Sequence, residues 1–121
     1  MTEPFQTTFP GDPGAVDAAC NWVNAIVRSI DPELTDMAER VVRVLMASAV
    51  LHTPPAGRVH LQVTAADITL KIEICDPGEP ASDEVSSTSW ASLFRDVAEF
   101  GTKHIEGQGH LAWVLLPRRH G

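Results

Sequence analysis

The sequence is poor in cysteine, poor in basic residues and free of long apolar runs, and each shortage excludes something. Two cysteines, Cys20 and Cys75, cannot build a disulfide framework, so a reducing compartment is the expectation. No apolar stretch reaches the ~18 residues needed to cross a bilayer. The N-terminal MTEPFQTTFPGDPG holds no basic segment followed by an apolar one, so no signal peptide is read and a cytoplasmic location is expected. Nine Lys and Arg stand against sixteen Asp and Glu, a net charge of −7. That sign disfavours direct contact with nucleic acid or anionic membranes. Internal repeats and low-complexity tracts are also lacking.

What is present is a composition for folding. The chain has 121 residues, 44% of them hydrophobic, which fits one compact domain over 1–121. Residues 4–9, PFQTTF, alternate in part and predict a first strand. Asp12 and Pro13 then read as N-cap and first helical position. Val16, Cys20, Val23, Ile26, Val27 and Ile30 follow helical spacing, which predicts a helix over 13–30 with Cys20 in the core. Asp31-Pro32-Glu33 repeats the start signal, and a second helix is expected to about residue 52. Its polar positions Asp36, Glu39, Arg40 and Arg43 come early; VLMASAVLH is apolar nearly all round and should be buried.

Val59, Leu61 and Val63 alternate with polar residues, and so do Ile68, Leu70, Ile72 and Ile74. An antiparallel hairpin is expected, joined at Ala65-Ala66-Asp67. Residues 76–89, DPGEPASDEVSSTS, read as a loop. Trp90, Leu93, Phe94 and Val97 predict a third helix over 90–100, ended by Gly101. Strands are expected over 102–106 and 110–116, around Gly107-Gln108-Gly109, before a short basic tail, PRRHG. The order strand, helix, helix, strand, strand, helix, strand, strand predicts an α/β fold. A two-layer sandwich is expected, with helices on one face of a mixed, mostly antiparallel sheet.

Several side chains have a structural reading beside a functional one. Asp76-Pro77-Gly78 is explained by a turn after a strand, with no ligand. His104, His110 and His120 lack tight ligand spacing, so no metal site is expected. His52 at a helix C-terminus suits the dipole. Cys75 is expected on the face opposite Ile74. Trp113 alternates with Leu111 and Leu115 and is expected to pack in the core or on a sheet face. Trp22 lies off the main stripe of its helix, so it either packs on the first strand or offers a partner an aromatic anchor.

Element order and three junctions resemble the GHKL (histidine-kinase-like) ATPase domain, and within it the small anti-sigma-factor serine kinases of bacteria. FPGDPGAVDAACNWV is similar to that branch's Phe-Pro before the first helix. VLMASAVLHT lies where the family has its N-box, Glu-Leu-x-x-Asn-Ala-x-x-His. ICDPGEP resembles the first glycine box, and SSTSWASLFRDVAEFG falls at the second. The resemblance implies a Bergerat-type ATPase fold. It also implies that Asp76 accepts the adenine amino group and that Gly78 leaves room for the base. Ala49 and His52 are retained from the N-box.

The departures are at the phosphate end. The family's magnesium-holding Asn is Ser48 here, and its Glu base is Val44, which has no ionisable group. The glycines that open the phosphate cradle fall at Ser87 and Ser89. Asp76, Glu79, Asp83 and Glu84 add negative charge around it. The resemblance therefore implies a pseudo-kinase with no catalytic residue, no metal and no ATP cofactor, keeping vestigial nucleotide-site residues Ser48, Asp76 and Gly78. Trp90 is then expected to fill the vacated site. The implied function is regulatory protein binding by sequestration, as an anti-sigma-like factor or partner-switching component. The partner would be a sigma factor or an anti-sigma antagonist, and homodimerisation through the sheet is a further expectation. The alternative is a divergent ATP-dependent serine protein kinase; a third reading is a small-molecule sensor reusing the adenine pocket.

Overall fold

A computed structural model describes residues 4–54, 56–77, 99–105 and 109–118. These residues form an α/β fold with, among them, five strands and two α-helices in the order β1 (Phe5–Pro10), α1 (Ala15–Ile30), α2 (Thr35–His52), β2 (Arg58–Ala65), β3 (Thr69–Asp76), β4 (Glu99–Ile105) and β5 (Gly109–Pro117). A 3₁₀ turn, Pro32–Leu34, joins the helices. The sheet order is β1-β2-β3-β5-β4, and each neighbouring pair among the described residues is antiparallel. A mixed sheet was the expectation, with antiparallel pairing predominant.

The strands form because their apolar residues recur every second position. Leu61 lies opposite Ile74, Val63 opposite Ile72, and Ile72 in turn opposite Val114. These side chains are fully buried with Val23 and Val27 of α1 and Val41, Leu45 and Met46 of α2 in one core. Cys20 is part of that core, as its stripe predicts; burial pushes its thiol up. The reverse side of β3 and β5 carries half-buried Lys71, Glu73, Cys75, Leu111, Trp113 and Leu115. On the outer side of the helix pair, Asn24 of α1 donates to Glu39 of α2 at 2.6 Å, and Arg43 donates to Asp17 at 3.0 Å.

The local differences from expectation have physical causes. α1 starts at Ala15 with Gly14 as N-cap, and Asp12 contributes its backbone carbonyl to the preceding turn, not its side chain. Asp31 makes no side-chain cap to the 3₁₀ turn; it is wholly buried beside Arg118. Ile68 continues the alternation in sequence, yet it lies in the β2–β3 turn and is 77% exposed. That turn is closed by Ala66 N–H on the Thr69 carbonyl, so Thr69 opens the strand. Leu51, in the stretch expected to be buried all round, is 81% exposed because the last turn of α2 keeps an outward face.

Glu99, Phe100 and Gly101 belong to β4 and not to the end of a third helix. Gly101 therefore terminates nothing. It gives room to the Trp113 ring, since a Cβ there would come within 2.7 Å of Trp113 Cζ2. The rest of the expected third helix, with Trp90, lies outside the described residues. Trp22 packs edge-on against Phe9 of β1 at 6.4 Å, the packing alternative of its two readings. Trp113 is half-buried on the sheet's reverse side, with the Lys71 ammonium 5.8 Å from its ring centre.

Candidate functional site

The site expected from the sequence lies at the end of β3. Strand alternation puts Asp76 on the same side as Ile72 and Ile74, facing the helices, and it is only 3% exposed. A carboxylate so placed is stable only when other groups compensate for its lost hydration. His110 of β5 lies directly opposite in register, its Nδ1 3.8 Å from Asp76 Oδ2. His104 of β4 pairs with His110 in turn. One acid and two imidazoles therefore form a row across β3, β5 and β4 at a single end of the sheet. Among the described residues, no group of three or more His, Cys, Asp or Glu is arranged to hold a metal ion.

The backbone at this end is tightly packed. Gly109, the first residue of β5, has φ +114°, and a Cβ on it would run into the Asp76 carbonyl and Pro77 Cα. Only glycine lets β5 start this close to the turn after β3. On the reverse side, the Cys75 thiol is pushed up first by burial and then by the neighbouring Asp76 carboxylate.

The residues expected at an N-box sit on α2, which packs on β3. Val44 is half-buried against the core, and Ala49 is buried. Ser48 is half-buried, and its carbonyl is bonded to His52 Nδ1 at 2.8 Å. His52 thus serves the C-terminal turn of its own helix, where Thr53 Oγ1 also donates to the Ala49 carbonyl at 2.7 Å. Of the three expected nucleotide-site residues, Asp76 and Ser48 stand on adjoining elements. Gly78 lies outside the described residues, as do Ser87 and Ser89.

Two features escaped the reading of the sequence. The spacing of His110 speaks only to metal binding, whereas strand pairing opposite Asp76 makes it that residue's neighbour. Arg118 belongs in sequence to a short basic tail. It reaches Asp31 Oδ2 at 3.9 Å and donates to the carbonyls of Ala66 at 2.9 Å and Ile30 at 3.5 Å. The signal available for Arg118 is its place as the first of two arginines directly after a strongly apolar strand.

A scan of the chain against protein-family models finds no match, and a search of curated proteins finds none either.

Proposed function

We propose that the chain is a degenerate GHKL domain, a two-layer sandwich of the Bergerat type that regulates by binding another protein. The observation that carries this reading is the buried Asp76 carboxylate at the end of β3, facing the helix that bears the N-box-like stretch. A buried acid at this position suits a purine amino group. The element order from β1 to β5 supports the same reading.

Phosphoryl transfer is lost in this proposal. It depends on a positioned metal ion and on stabilisation of developing charge. Val44 packs on the core where the family has its base, and Ser48 offers one hydroxyl where the family has an amide oxygen. The protein then acts in the cytoplasm by sequestration, covering the functional surface of a sigma factor or of an anti-sigma antagonist. Among the described residues, no helix is long and apolar enough to cross a membrane.

Calorimetric titration with Mg-ATP and Mg-ADP tests the proposal, together with affinity capture from the native cell. The expected result is no heat at micromolar nucleotide and recovery of a sigma factor or an antagonist. Micromolar Mg-ATP binding with phosphorylation of the captured partner would establish the divergent serine kinase instead.

A further inference from the structure

We draw no further inference here: the strongest candidate, the half-buried apolar patch of Leu111, Trp113 and Leu115 beside Lys71 on the reverse side of the sheet, carries none because nothing in the structure shows what covers it.

Discussion

Among the described residues two carboxylates are buried, one at each end of β3 and β5, and their partners differ in kind. At the Thr69–Pro117 end, Asp31 is wholly buried next to Arg118, whose guanidinium also binds the carbonyls of Ala66 and Ile30. At the other end, Asp76 is buried next to His110. A guanidinium is charged at every pH a protein tolerates, whereas an imidazole is charged only when protonated. The Asp31 end is thus a permanent tie between the α1–α2 corner, the β2–β3 turn and the end of β5. The Asp76 end holds its acid with a weaker and changeable partner. The two acids therefore respond differently to pH, since only the partner of Asp76 changes its charge in the neutral range.

The largest effect is expected from attacking the packing that sets the Asp76 end. Gly109→Ala combines a φ reserved for glycine with a Cβ driven into the Asp76–Pro77 backbone, and should cost roughly 4 kcal/mol in urea unfolding. A loss under about 1 kcal/mol would show that β5 can start elsewhere. Next comes Arg118→Met, which keeps much of the bulk but removes the cation beside Asp31. It should cost about 3 kcal/mol, and the double variant with Asp31→Asn should recover part of that loss. If Arg118→Met unfolds at the wild-type urea midpoint, the clamp is not structural and the contrast between the two ends collapses.

His110→Gln should cost only about 1 kcal/mol at neutral pH, clearly less than Arg118→Met. Equal losses would make both ends structural. The smallest effect concerns the charge on Asp76. Its carboxylate helps to push the Cys75 thiol up, so Asp76→Asn should increase the thiolate fraction of Cys75. Iodoacetamide labelling of Cys75 near pH 8 should then quicken about twofold, while buried Cys20 stays unlabelled in both proteins. An unchanged rate would mean that Asp76 is not ionised in the folded protein.

The elements were more legible than their boundaries. Two periodicities, of two and of 3.6, suffice for β2, β3, α1 and α2, because alternate burial of Val, Leu and Ile leaves a direct mark on the sequence. Ile68 and Leu51 show the limit. Each continues an apolar pattern past the point where the chain turns or emerges, and pattern alone cannot tell a covered position from an uncovered one. Gly101 shows another limit. A glycine after an apolar run ends a helix or admits a ring, and here the Trp113 side chain from the neighbouring strand decides.

The candidate site divides in the same way. Asp76 was legible because an acid closing an apolar strand before Pro-Gly is locally conspicuous. His110 was not, because its relation to Asp76 exists only through the β3–β5 register. The start signal at Asp31 held in position, since Pro32 opens the 3₁₀ turn, but the Asp31 side chain does not cap it. Asp-Pro-Glu before a helix normally means a cap, but the arrival of Arg118 from the end of β5 makes burial of that carboxylate the better arrangement.

By itself, then, the sequence determined an acidic chain with one apolar core, the order of the helices and strands among the described residues, and an acid at the end of β3. Only the tertiary structure decided which charges meet. Local periodicity is set by a few neighbouring residues. Contacts such as Asp31 with Arg118, and Asp76 with His110, join positions far apart in the chain and arise only once the strands have chosen their neighbours.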